Sequence, residues 1–462
     1  MKLSRVLIAN RGEIAIRVAR AASELGVETV GVHSEDDEAS LHVRRVDSAV
    51  ALEGVGAAAY LDGEQIVRHA VAAGCDAVHP GYGFLSESAD FARACAAAGL
   101  VFVGPGPRLL ELFGDKARAR ALAVESGVPV LEGISEATTI EGAASLLAEL
   151  GPGAAIMIKA VAGGGGRGVR IVRAEAELEE AWARSASEAQ TAFGSGALYA
   201  ERFLPRARHV EVQVVGDGRE VRHLGERDCS LQRRHQKLIE IAPAPGLPTG
   251  LRERIHAAAV RLAEAVAYES LGTFEFLVDA DGGAGVAPDS GGALSEEATF
   301  AFIEANARLQ VEHTVTEEVM GVDLVQVQLR LAGGARLADL DLPNGRGPAG
   351  YAIQARVNME TMTGDGEVRP TGGTIRVFEP PTGPGVRVDG FGYGGYTTSP
   401  RFDSQLAKVV AHHPGSDFDA ARRRLVEALT EMRVEGVGTN AGFLRAVLDH
   451  PQACAGSIYT RL

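Results

Sequence analysis

The chain has 462 residues, 46% hydrophobic and 23% charged, which is the composition of an ordinary globular protein long enough for two to four domains. Its formal net charge of -15 argues against a nucleic-acid binder, which would carry a basic excess. No run reaches the ~18 apolar residues needed to span a bilayer, no signal-peptide cleavage region follows the first apolar stretch, and Cys75, Cys95, Cys229 and Cys454 have neither zinc-ligand nor disulfide-framework spacing. Reduced thiols and a cytoplasmic location without membrane or nucleic-acid partners are the expectation.

Over the first ~110 residues strand-like and helix-like stretches alternate. Arg5-Val6-Leu7-Ile8-Ala9 is a buried-strand candidate; Ile14, Val18, Ala21, Ala22 and Leu25 then recur at helical spacing, and Gly26 stops the helix. Residues 28–32, 77–78 and 100–103 are further predicted strands, so a parallel, doubly wound α/β sheet is expected. The turn Asn10-Arg11-Gly12-Glu13-Ile14-Ala15 lacks the three-glycine dinucleotide fingerprint, leaving a Rossmann-like shape without evidence for NAD. Residues 114–130 read as a helical connector, and 131–203 as a second unit. A third begins near Leu204 with the alternating strand His209-Val210-Glu211-Val212-Gln213-Val214 and a helix over 251–267. Residues 279–298, rich in Gly, Ala, Ser and acid, are expected to form an exposed, mobile hairpin tip, and the last part of the chain carries turn-rich strands and a helix over 420–432.

Three stretches carry chemistry. The first is Ile156-Met157-Ile158-Lys159-Ala160, then Gly163, Gly164, Gly165, Gly166, Arg167 and Gly168, then Val169-Arg170-Ile171-Val172. Glycines let backbone N–H groups approach phosphate oxygens, Lys159 can neutralise phosphate charge, and the run can move as a lid. A merely flexible hairpin is the alternative; the Walker ending Gly-Lys-Ser/Thr is missing. The second, residues 303–312, alternates strictly: Ile303, Ala305, Ala307, Leu309 and Val311 against Glu304, Asn306, Arg308, Gln310 and Glu312. If extended, it projects every polar group to one side. With Glu275, set between Phe274 and Phe276, the oxygen donors Glu304 and Asn306 suit Mg²⁺ bridging phosphates; a surface salt-bridge lattice is the alternative. The third, Glu226-Arg227-Asp228-Cys229-Ser230-Leu231-Gln232-Arg233-Arg234-His235-Gln236-Lys237, is dense in donors, and a solvated basic surface is its plain reading.

Together with Ile8-Ala9-Asn10-Arg11-Gly12-Glu13-Ile14-Ala15 and His79-Pro80-Gly81-Tyr82-Gly83-Phe84-Leu85-Ser86-Glu87, these stretches occur in the order of the biotin carboxylase motifs, and the chain resembles that family of the ATP-grasp superfamily from the first strand to the last helix. The resemblance implies an ATP-grasp α/β fold: a Rossmann-like N-terminal domain (1–113), the connector (114–130), a mobile lid (131–203), a core carrying metal and bicarbonate residues (204–334) and a C-terminal α+β domain (335–462). It implies that Lys116, Lys159 and the glycine loop contact ATP phosphates, that Glu201 and Leu204 hold the adenine and His235 the ribose, and that His209 and Gln232 belong to the same binding set. Glu275 and Glu304, with Asn306 nearby, would hold Mg²⁺, or Mn²⁺ in its place. Lys237, Arg308, Gln310 and the Val311 backbone would hold bicarbonate, with Glu312 as its general base. Arg356 would stabilise the enolate-like biotin oxygen, and Tyr82 would border the biotin pocket.

The implied reaction is ATP-dependent carboxylation of biotin through carboxyphosphate, the first half-reaction of a biotin-dependent, acyl-CoA-type carboxylase of fatty-acid metabolism. The final acceptor stays open among acetyl-CoA, propionyl-CoA, longer acyl-CoA, pyruvate and urea. The wording departs from the family at Arg202, Ile241, Ala307, Thr314, Met359 and Thr361. No Ala-Met-Lys-Met segment occurs, so biotin is expected on a separate carrier protein or on a further region of a longer chain, with a carboxyltransferase partner; a homodimer is the family expectation. The rivals are another ATP-grasp ligase, joining a carboxylate to an amine, and a silent nucleotide-binding scaffold.

Overall fold

The computed structural model describes residues 3–134, 137–161, 169–280, 294–343, 347–363 and 366–462. The N-terminal sheet is parallel and five-stranded, in the order Ser48–Ala51, Glu28–His33, Arg5–Ile8, Ala77–His79, Val101–Phe102. Val6, Leu7 and Ile8 are all fully buried, as a central strand covered on both faces requires. Ile14, Ala15, Val18, Ala21 and Ala22 turn the buried side of the helix Gly12–Glu24 onto the sheet, and Gly26 (φ +70°) ends it in the left-handed conformation. The edge strand Ser48–Ala51 is mostly exposed, and its short run Ala49-Val50-Ala51 shows no alternation of apolar and polar residues, which is why the sequence pattern passes over it.

An antiparallel sheet in the order Gly133–Ile134, Leu198–Arg202, Ile156–Ala160, Arg170–Val172 follows. Its period-2 alternation divides labour between faces. Ile156, Ile158, Ala160, Leu198 and Ala200 pack under the helices Ile140–Leu150 and Leu178–Phe193, while Met157, Lys159, Tyr199 and Glu201 face a cleft.

The largest sheet is antiparallel and eight-stranded: Phe300–Asn306, Glu269–Asp279, Ala207–Asp217, Val221–Arg233, Gln236–Ala242, Tyr351–Asn358, Gln405–His413, Val386–Gly390. It runs without a break across residue 335, because Ile239 pairs with Ala355. The helix Thr249–Glu264 covers one end through Leu251, Ile255, Ala259 and Leu262, and Phe418–Glu431 covers the other through Ala421, Leu425 and Leu429. Glu269–Asp279 and Phe300–Asn306 pair antiparallel, so residues 279–298 join a hairpin; 281–293 of that expected tip lie outside the described residues.

The condition set on the alternating stretch is met only in part. Residues 303–312 are not extended throughout: the strand ends at Asn306, the chain bends, and the helix His313–Met320 begins right after Glu312. Among the described residues no helix is long and apolar enough to cross a membrane.

Candidate active site

A cleft of about 1260 Å³ lies between the four-stranded sheet and the large sheet. Every described residue to which the resemblance assigns a site role lines it: Tyr82, Lys116, Lys159, Glu201, Leu204, His209, Gln232, His235, Lys237, Glu275, Glu304, Asn306, Arg308, Gln310, Val311, Glu312 and Arg356. Gly163, Gly164, Gly165, Gly166 and Gly168 lie outside the described residues. The polar residues of 304–312 converge although the strand stops, because the bend after Asn306 carries Arg308, Gln310 and Glu312 around the cleft floor instead of along one strand face. The third stretch forms a hairpin whose two-residue turn, Arg234-His235, holds both residues at positive φ (49° and 66°). This twist suits a tight hairpin but costs non-glycine residues energy, a pattern typical of sites where side-chain placement matters.

The floor is a buried charge network around Lys237. Its Nζ lies 2.6 Å from Glu211 Oε2, 2.8 Å from Glu312 Oε1 and 3.1 Å from Glu275 Oε1. Arg356 donates to the other Glu312 oxygen at 3.0 Å and to Glu240 at 2.5 Å. Burial alone would raise the Glu312 pKa, but Lys237, Arg356 and Arg227 outweigh it and hold the carboxyl well below the usual carboxylate range. For Lys237 burial opposes the charge, and Glu211, Glu275 and Glu312 overcome it, so the ammonium is held well above its ordinary pKa.

Beneath them Arg227, fully buried, donates to Glu211 at 2.5 Å, Gln213 at 2.8 Å, and Thr273 and Thr316 at 3.0 Å each. Glu275 Oε1 accepts from Asn306 at 2.6 Å and Gln310 at 2.9 Å. Arg308 binds back to Gln310 at 2.8 Å and Asn306 at 2.9 Å, and pairs with Glu87 at 2.9 Å. Gln232 donates to His209 Nδ1 at 2.9 Å, which leaves the His209 proton on Nε2, 2.5 Å from Glu275 Oε2. On the four-stranded sheet Lys159 pairs with Glu201, and Lys116 Nζ is 3.3 Å from Glu304.

Glu275 and Glu304 stand directly opposite each other on paired strands and both line the cleft, two hard oxygen donors of a kind that fits Mg²⁺. His209, Glu211 and Glu275 also bring ligand atoms within 4.8 Å of one another, but the Lys237 ammonium already touches both carboxylates. Sequence reasoning assigned no role to Glu211, Arg227 or Glu240. The first was signalled by the alternation His209-Val210-Glu211-Val212-Gln213, whose polar positions are all buried; Glu240 stands as a lone acid within the apolar run Leu238-Ile239-Glu240-Ile241.

Three family profiles cover this arrangement: Biotin carboxylase, N-terminal domain, over residues 2–110; Carbamoyl-phosphate synthase L chain, ATP binding domain, over 115–340; and Biotin carboxylase C-terminal domain over 354–462. The solved biotin carboxylase domain of a single-chain bacterial carboxylase is 49% identical, with 99% of this chain and 96% of that one aligned at a TM-score of 0.85. The chain belongs to the biotin carboxylase family. The biotin carboxylase domain of Hydrogenobacter thermophilus 2-oxoglutarate carboxylase, solved as a dimer with MgADP, ADP and bicarbonate, is 39% identical and aligns over 100% and 97% of the two chains at a TM-score of 0.90. Human mitochondrial pyruvate carboxylase is 46% identical over 465 residues, which is 99% of this biotin carboxylase but 38% of the human protein. The chain thus spans well under half the length of the curated relatives it matches. Since a relative is mitochondrial by name, family membership alone does not specify a compartment.

Proposed function

We propose that this chain carries out the ATP- and bicarbonate-dependent carboxylation of biotin presented on a carrier, the first half-reaction of a biotin-dependent carboxylase. The observation that carries the proposal is that Lys237 and Arg356 both donate to Glu312 on the floor of the cleft that Lys116 and Lys159 also line.

In this reading Lys116 and Lys159 bind the ATP phosphates, Glu201 and Leu204 hold the adenine at the edge of the lid, and His209, Gln232 and His235 complete the nucleotide contacts. Mg²⁺, or Mn²⁺ in its place, is held by Glu275 and Glu304 with Asn306 nearby, and supplies charge neutralisation of the phosphates when bound. Bicarbonate is held by Lys237, Arg308, Gln310 and the Val311 backbone. Glu312, ionised at neutral pH, accepts its proton; the same cations that depress the Glu312 pKa also acidify the bound bicarbonate. The freed oxygen attacks the γ-phosphorus, ADP leaves, and carboxyphosphate forms. Its C–O bond then breaks to give CO₂ and phosphate, and the phosphate removes the N1 proton of biotin. N1 bonds to CO₂ while Arg356 stabilises the charge on the ureido oxygen, and Tyr82 borders the ring. Lid closure keeps water from carboxyphosphate.

The carrier, a carboxyltransferase partner and a homodimer belong to the same proposal. Two of the relatives named above act, by name, on pyruvate and 2-oxoglutarate and the third names no acceptor, so the acyl-CoA acceptor and the fatty-acid role stay open alongside pyruvate. Acceptor choice is assigned to the transferase partner. The test is ADP release by purified protein with Mg²⁺, ATP and free biotin in CO₂-depleted buffer, with and without added bicarbonate. Release that rises with bicarbonate supports the proposal, and release indifferent to it overturns the proposal.

A further inference from the structure

The turn between Asn306 and the helix His313–Met320 carries the residues assigned to bicarbonate, yet no strand pairing holds its backbone. Two fully buried side chains hold it, together with one turn hydrogen bond in which the His313 backbone N–H donates to the Gln310 carbonyl at 3.2 Å. His313 Nδ1 lies 2.8 Å from the Gln310 carbonyl oxygen. A carbonyl only accepts, so the proton sits on Nδ1. Burial, then the Lys408, Arg17 and Arg387 charges, push the imidazole pKa far down, which leaves a neutral ring with a bare Nε2. Among the described residues that Nε2 has no hydrogen-bond partner, and its carboxylate neighbour Glu317 is 3.8 Å away. Lys408 donates to the next carbonyl, that of Val311, at 3.1 Å, and is itself anchored by Glu13 at 3.1 Å and Asp389 at 4.0 Å.

These contacts fix the two peptide units that flank Val311. In a trans peptide the C=O and N–H point in opposite directions. The Gln310 carbonyl is turned inward to His313, so the Val311 N–H in the same unit is turned outward, toward the cleft that Val311 lines. Lys408 fixes the following unit, which leads into Glu312.

We infer that His313 and Lys408 are positioning residues for bicarbonate, holding the Val311 peptide so that its N–H meets the anion. This rests on the proposed function for the identity of the anion and adds how its backbone donor is aimed. The asparagine Nδ2 falls near the place of the histidine Nδ1, and the glutamine Nε2 near that of Nε2, so the two amides separate the holding role from mere filling of space. His313→Asn is expected to keep KM for bicarbonate within about 3-fold of wild type, whereas His313→Gln raises it by about 10-fold or more, the range for a lost hydrogen bond to a charged group. KM for ATP stays unchanged in both. Lys408→Met is expected to behave like His313→Gln. Equal effects of the two amides, or parallel changes in both KM values, overturn the inference. Hydrogen exchange gives a check on the wild-type protein alone: with nucleotide present, bicarbonate should slow exchange of the Val311 amide, and an unchanged rate also overturns it. Wild-type ADP release that ignores bicarbonate would instead remove the functional reading itself.

Discussion

Replacing Lys237 by methionine removes the one ammonium group shared by Glu211, Glu275 and Glu312. All three carboxylates are buried, and each retains other partners: Arg227 for Glu211, the His209 Nε2–H with the Asn306 and Gln310 amides for Glu275, and Arg356 for Glu312. Breaking a buried pair costs about 3–5 kcal/mol when a charge is stranded, and the surviving partners place this variant near the low end, about 3 kcal/mol at neutral pH. The pH dependence identifies the cause. In the wild type the Glu312 pKa lies below its unfolded value, so its stabilisation is present above about pH 4.5 and is lost as pH falls through the folded pKa. Without Lys237 that depression shrinks and burial raises the folded pKa, so the variant suffers most at high pH and is relieved as its carboxyls protonate. Urea titrations at several pH values between about 5 and 8 should therefore show a deficit that narrows toward the acid end. A deficit constant with pH, or none, would refute the electrostatic account of this floor.

Glu312→Gln should lower turnover by roughly 10²- to 10⁴-fold with KM for ATP little changed, as expected for a lost general base; steady-state kinetics at saturating bicarbonate measures it, and near-normal turnover removes Glu312 from that role. Arg356→Ala should harm biotin carboxylation more than bicarbonate-dependent ATP hydrolysis, and equal loss in both assays would make Arg356 structural. A biotinylated carrier domain should exceed free biotin in kcat/KM, because a tether raises local biotin to about millimolar; equal values would mean that no carrier is recognised. Light scattering at micromolar concentration should give the mass of a dimer, and a monomer would contradict that part of the proposal.

Much of the cleft was legible because its residues cluster in short stretches. Lys237 follows Glu226 within one hairpin, and Glu304, Asn306, Arg308, Gln310 and Glu312 share one segment. The parallel sheet was legible because a strand covered on both faces must be continuously apolar, as Val6, Leu7 and Ile8 are. What escaped was either weakly patterned or distant in the chain. The edge strand Ser48–Ala51 has no buried face to impose a pattern. Glu240 meets Arg356 116 residues away, and Lys408 meets the Val311 carbonyl across 97; no local periodicity encodes such pairings. The bend after Asn306 was hidden because strict alternation continues through it, although the residues beyond it are placed by side-chain hydrogen bonds and the following helix rather than by strand pairing.

The central claim is that a bicarbonate oxygen bonds to the γ-phosphorus of ATP and remains there when carboxyphosphate breaks. Bicarbonate labelled with ¹⁸O, supplied with ATP, Mg²⁺ and biotin, tests this by mass analysis of the released phosphate in a single turnover. Phosphate carrying one labelled oxygen is the expected result; unlabelled phosphate, its new oxygen drawn from solvent water, would contradict it.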